Sequence, residues 1–193
     1  MSQQIDKATS DKNIFGFWVY LMTDCMLFAT LFATFVVLRN GAYHGPSSQT
    51  LFSLPYVLLE SLILLTSSFT CGLATLALRR RDKTKVLLWF LVTFLLGTIF
   101  LGLELSEFAS LVMDGHGWKV NGFLSAYFTL VGTHGLHILA GLLWMAVLLV
   151  GVARHGLRPQ NEHHLTMLSL YWHFLDIIWI FIFMIVYLIG ARS

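Results

Sequence analysis

Long apolar runs without charge, parted by short polar stretches, set the pattern of this chain. They cover about residues 15–38, 55–78, 86–105, 123–152 and 165–189. Each is long enough for a helix to cross a bilayer, which takes about 20 residues. The alternating segments of about ten residues that mark a membrane barrel are absent. A lone segment in hydrocarbon must satisfy its own N–H and C=O groups, so helices are required. The pattern predicts an all-α polytopic membrane protein, a bundle of five transmembrane helices within residues 14–193, after a polar tail at residues 1–13. That tail lacks the apolar centre and small-residue cleavage site of a secretory signal, so no cleavage is expected. Turn chemistry falls in the connections, at Asn40-Gly41, Gly45-Pro46, Gly115, Gly117, Asn121-Gly122, Gly156 and Pro159.

Composition narrows the picture further. Of 193 residues, 57% are hydrophobic and 11% charged, whereas a soluble domain carries about 25% charged residues. The mean hydropathy is +0.75, and five spans leave no room for a separate soluble domain. The net charge of +2 comes from basic residues grouped in loops, a sign of membrane topology rather than of nucleic-acid binding. Lys7, Lys12, Arg79, Arg80, Arg81, Lys83, Lys85, Arg154 and Arg158 all fall on one side of a five-span arrangement, and Arg39, Lys119 and Arg192 on the other. This asymmetry predicts a cytoplasmic N-terminus and a periplasmic C-terminus.

Ionisable residues inside the spans are the chemical candidates, because a charge at that depth costs at least a few kcal/mol unless it pairs, is neutralised or meets a polar cavity. At 1.5 Å per residue, Asp24 lies about 15 Å into the first helix, near mid-bilayer, and Glu60 lies a turn or two from the outer end of the second. Glu104 and Glu107 share a face near the outer end of the third helix, His134 and His137 share one in the fourth, and His173 and Asp176 one in the fifth. Trp172 and Trp179 flank that last pair. Their spacing suggests that His173 donates to Asp176 and that the others hydrogen-bond between helices or hold lipid. Cys25 and Cys71 lie in separate apolar helices and read as packing residues, with Cys25, Ala29 and Ala33 forming a small stripe that would let another helix approach closely. No metal or catalytic motif is present: no Cys-x-x-Cys, Gly-x-Ser-x-Gly or His-Glu-x-x-His. No catalytic, cofactor-binding or metal-binding residue is therefore assigned.

Three segments carry a resemblance. Phe15-Gly16-Phe17-Trp18 leading to Leu21-Met22-Thr23-Asp24, then Gly132-Thr133-His134-Gly135-Leu136-His137, then Tyr171-Trp172-His173-Phe174-Leu175-Asp176-Ile177-Ile178-Trp179 together resemble subunit III of haem-copper terminal oxidases. The likeness runs from about Ile14 to the C-terminus and is greatest to the bo-type ubiquinol oxidase branch. Relatives that oxidise cytochrome c usually have two further helices before the Gly-x-Trp segment, Glu in place of Asp24, and a Glu-Ala pair where Thr166 and Met167 stand here.

The resemblance implies a subunit without its own active site in a proton-pumping oxidase of the bacterial cytoplasmic membrane. Haems and copper would belong to subunit I, against which this chain packs, beside subunits II and IV. The complex would oxidise ubiquinol and reduce dioxygen, and this subunit would bind phospholipid and support assembly and sustained proton uptake. The alternative is a small proton-coupled transporter using Asp24, Glu104, Glu107 and Asp176 as relays. An odd helix count, no internal repeat and no pair of broken helices weigh against it.

Overall fold

The computed structural model describes residues 2–39, 54–113 and 122–188, with the side chains of the first helix from Lys12 onward. Five helices make the fold: α1 Ser2–Arg39, α2 Leu54–Arg79, α3 Lys83–Met113, α4 Gly122–His155 and α5 Pro159–Ile182. The last continues as a π-helical turn over Phe183–Leu188. All five are long and apolar enough to cross a membrane, and no strand occurs among the described residues. The tail expected ahead of residue 14 continues the α1 backbone helix. Helix α3 extends beyond the expected 86–105 at both ends, so Glu104 and Glu107 stand two to three turns inside its end. The apolar run ends at Leu105, while the helix continues past Glu104, which is buried. Lys7, Arg39, Lys119, Arg192, Asn40-Gly41, Gly45-Pro46, Gly115, Gly117 and Asn121 lie wholly or by their side chains outside the described residues.

Helix α5 touches α1, α2 and α4, and α3 closes the bundle between α2 and α4. Two short turns fix the hairpins at the basic end. Between α2 and α3, Arg81 takes φ 53° and the Asp82 carboxylate accepts from the Lys85 amide at 3.3 Å. The Lys85 side chain lies 3.0 Å from the same carboxylate, and these contacts hold the Asp82 carboxyl below the usual range. Their contribution is present above the unfolded carboxyl value and fades as pH falls through the folded one. Between α4 and α5, Gly156 at φ +77° permits a bend that Pro159 then turns into the next helix.

Inside the membrane, shape and hydrogen bonds join helices, since lipid is as apolar as leucine. Trp172, fully buried, shows how. A Cβ built at Gly97 would sit 2.8 Å from its Cη2 and Cζ2, and one at Gly141 would sit 3.2 Å from its Cζ3. The indole therefore fills a slot that exists because α3 and α4 lack side chains there. Its Nε1 donates to Ser67 Oγ at 2.7 Å, tying α2 into the same joint.

The small stripe of α1 faces away from the rest of the chain. Cys25, Ala29 and Ala33 are exposed in the isolated chain, while Leu21, Asp24, Phe28 and Phe35 are buried. Aromatic bulk and the carboxylate make the contact inside the chain, and the small side chains face outward. Cys71 is buried and donates to Ser169 Oγ at 3.5 Å, as a packing cysteine can.

Candidate functional site: polar seams between helices

A ladder of hydroxyl groups runs along α2. Ser61 Oγ accepts from Trp179 Nε1 at 3.0 Å, Ser68 Oγ meets His173 Nδ1 at 2.7 Å, and Thr75 Oγ1 donates to Ser169 Oγ at 2.9 Å. These α2 residues recur every seven positions, so they line one face toward α5. On another side of α2, Tyr56 reaches the Leu103 carbonyl at 3.1 Å and Ser106 Oγ at 2.8 Å, and Thr70 meets Thr93 at 2.8 Å. None of these hydroxyls is ionisable and none is among the sequence candidates, although the seven-residue spacing of Ser61, Ser68 and Thr75 is legible in the chain.

The ladder also corrects an expectation. His173 does not bond Asp176: its Nδ1 is engaged by Ser68, and the same Ser68 hydroxyl is the polar group beside the Asp176 carboxyl. A helical i, i+3 spacing brings two side chains near, but a hydroxyl directly across the interface offers better geometry. Replacing His173 by Phe and Ser68 by Ala should therefore give non-additive losses in a thermal double-mutant cycle, with a coupling of about 0.5–1.5 kcal/mol. Additive losses would mean the bond contributes nothing.

The α1–α4–α5 seam holds Asp24 and His137. His137 Nδ1 lies 2.7 Å from the Thr133 carbonyl. A carbonyl only accepts, so that nitrogen carries the proton. Nε2 then faces Asp24 Oδ2 at 3.7 Å, and one further proton on either group makes the contact attractive. Tyr171 donates to the His137 carbonyl at 3.0 Å and its ring stacks on Tyr20 at 6.5 Å, closing the seam.

His134 shares a helix face with His137 but has different surroundings. Its ring stacks on Trp179 at 5.3 Å, with Phe28 and Phe100 edge-on at 6.4 and 6.2 Å. Neither ring nitrogen has a hydrogen-bond partner among the described residues. Beside it, the Gly135 position admits the Glu104 carboxyl, since a Cβ there would lie 2.9 Å from Oε1. Glu60 and Glu104 are buried at 0% and 2% exposure, with no hydrogen-bond partner for any of the four oxygens among the described residues. They lie within electrostatic reach of each other and of Glu107, and Tyr127 and Tyr187, whose hydroxyls are 3.0 Å apart, lie within reach of the same carboxyls. Among the described residues no group of three or more His, Cys, Asp or Glu is arranged to hold a metal ion.

The structure thus gathers the sequence candidates into three seams: Asp24 with His137, the glutamates with His134 and Trp179, and Trp172 and His173 of α5 against α2, with Asp176 beside them. Comparison with known proteins decides what kind of bundle this is. Residues 5–191 match the family described as cytochrome c oxidase subunit III. The chain belongs to that family. It is 53% identical over 179 residues, 93% of this chain and 86% of the relative, to cytochrome bo(3) ubiquinol oxidase subunit 3 of Pseudomonas aeruginosa. It is 44% identical over 189 residues, 96% of this chain and 94% of the relative, to the probable quinol oxidase subunit 3 of Staphylococcus saprophyticus. It is also 46% identical over 180 residues, 93% of this chain and 87% of the relative, to cytochrome c oxidase subunit 3 of a Bacillus species, strain PS3. As a member of the subunit III family, the chain is an integral membrane component of a haem-copper oxidase.

Proposed function

We propose that this chain is the subunit III of a ubiquinol oxidase in a bacterial cytoplasmic membrane, packing against subunit I beside subunits II and IV. The likeness to a ubiquinol oxidase subunit along 93% of the chain carries this reading. Its own role is to support assembly and sustained proton uptake, while the haems and copper are held by subunit I. The buried hydroxyls agree with that role, since Ser67, Thr70, Thr93 and Ser169 all bond across helices.

A bound phospholipid belongs to the same reading. A cleft of about 490 Å³ opens between α1, α2 and α5. Phe17, Trp18, Leu76 and Leu170 give it apolar walls, and Arg79 and His163 stand near the basic end. Apolar walls below a cationic rim suit an acyl chain and a phosphate.

Two measurements test the reading. In mild detergent the chain should co-purify with a haem-bearing polypeptide, and a lone or homodimeric species would favour the transporter. An oxidase lacking this chain should keep its haem spectrum and its initial quinol oxidation, yet lose activity faster during turnover. A complex that forms fully and turns over indefinitely without it would sink the supporting role. So would a haem spectrum in the isolated chain that vanishes on replacing His134 or His137.

The orientation has its own test, drawn from the basic residues clustered at one end of the bundle. A reporter fused after Ser193 should be active only outside the cytoplasm, and one after Arg81 only inside. The reverse at either site overturns the orientation.

A further inference from the structure

In the half of the bundle away from the basic turns, three helices turn polar side chains inward with nothing to bond. Glu60 of α2, Glu104 of α3 and His134 of α4 are all buried. Their four carboxyl oxygens and two ring nitrogens are shielded and lack a hydrogen-bond partner among the described residues. The three share one layer. Glu60 and Glu104 lie within electrostatic reach of each other, and the Glu104 carboxyl rests on Gly135, next to His134. The His134 ring packs on Phe100, one turn before Glu104, and on Trp179, whose Nε1 is given to Ser61, next to Glu60. Around this layer α3 adds Glu107, half-buried one turn beyond Glu104. Tyr127 of α4 and Tyr187 of the π-helical turn stand within reach of the same carboxyls. Asp24 of α1 faces His137, one turn from His134, and Asp176 of α5 stands beside Ser68, two turns along α2 from Glu60. Among the described residues every Lys and Arg side chain stands at the opposite end.

What these atoms lack is a hydrogen. A carboxylate only accepts, and a neutral imidazole gives from one nitrogen and takes at the other. No cation meets the need: the basic side chains are at the other end, and among the described residues no group of three or more His, Cys, Asp or Glu is arranged to hold a metal ion. Two carboxylates kept out of water without a counter-charge cost far more than two neutral acids. We propose that Glu60, Glu104 and His134 form a proton-holding site inside the bundle, in which both carboxyls carry a proton and Glu107 exchanges it with the medium. A proton leaving Glu60 or Glu104 is taken by the Glu107 carboxylate and passed to water, and it returns by the same steps reversed. The imidazole completes the layer without adding a charge. The site does not depend on which oxidase the chain serves.

Infrared spectroscopy and thermal melting of the full chain in detergent test this. At neutral pH the spectrum should contain the carbonyl stretch of protonated carboxylic acids, and Glu60→Gln and Glu104→Gln should each remove one acid's share of it. A band absent from wild type, or unchanged in both variants, overturns the proposal. In heavy water the band should shift as its proton is exchanged, and Glu107→Leu should slow that shift severalfold. An equal rate overturns the proposal. The folded chain holds protons that an unfolded chain releases, so the wild-type melting temperature should fall as pH rises through the alkaline range. The double glutamine variant has neither proton to lose and should fall less. A double variant that follows wild type overturns the proposal. Glutamine keeps the size of the side chain it replaces. Should Glu104→Gln fail to fold beside Gly135, Glu60→Gln alone decides, since the band must still lose one acid.

Discussion

Gly97→Leu should leave the bundle without a stable centre, and thermal melting in detergent should show it as the largest loss of any single substitution on α3. Even a Cβ at this position lies 2.8 Å from two ring carbons of Trp172 and 3.1 Å from Leu142 Cδ2, inside van der Waals contact. The indole has nowhere to go. Its nitrogen is bonded to Ser67 at 2.7 Å, and Gly141 on α4 packs against its other edge, with a Cβ position 3.2 Å from Cζ3. Overpacking of a tight core costs about 1–3 kcal/mol and sometimes more, so alanine should already be felt and leucine should separate α3 from α5. The converse change, Trp172→Ala, empties the slot and should cost about 3–5 kcal/mol. Made together, the two should cost less than their sum, because the new leucine partly fills the space the indole left. A Gly97→Leu protein that melts like wild type would show that the slot is looser than its distances say.

Asp24→Arg should abolish assembly of the oxidase, whereas Asp24→Asn should assemble nearly normally. The carboxyl is 7% exposed and faces His137 Nε2 at 3.7 Å. Asparagine keeps its size and an acceptor, so the seam between α1 and α4 needs little adjustment. Arginine brings a charge of the wrong sign toward an imidazole in a membrane interior, and breaking a buried pair in this way costs about 3–5 kcal/mol. That is comparable to the whole net stability of many domains, about 5–15 kcal/mol. The check is the yield of assembled oxidase from membranes expressing each variant. Equal yields would refute the claim that depth makes this position sensitive to charge.

Five helices were legible from the chain because membrane solvent imposes one rule on every residue of a span: no unpaired charge, no exposed backbone. Partner choice was not legible in the same way. The i, i+3 relation of His173 and Asp176 is a property of one helix, whereas the hydroxyl that engages His173 arrives from residue 68, and that pairing depends on the register of α2 against α5. The side to which the stripe of Cys25, Ala29 and Ala33 turns was not legible for a related reason. A small side chain permits close approach on whichever side it faces, and the side is chosen by Phe28 and Phe35, whose burial gains more contact. Gly135 belongs to a sequence motif, and in the bundle the Glu104 carboxyl rests against its bare backbone, where a Cβ would lie 2.9 Å from Oε1.

The slot that Trp172 fills bears on how the protein is made. Helices leave the ribosome in order, so α3 and α4 reach the bilayer while the side chain that will occupy the gap beside Gly97 and Gly141 is still unsynthesised. Ser61, Ser67, Ser68 and Thr75 on α2 wait for the same helix. A chain that stops before residue 159 is therefore a set of separately inserted helices with a hollow beside Gly97 and Gly141 and a row of hydroxyls without their partners on the last helix. Arrival of the final span fills the hollow and engages the hydroxyls in one step, so the first four helices gain their common joint only when the last is in place.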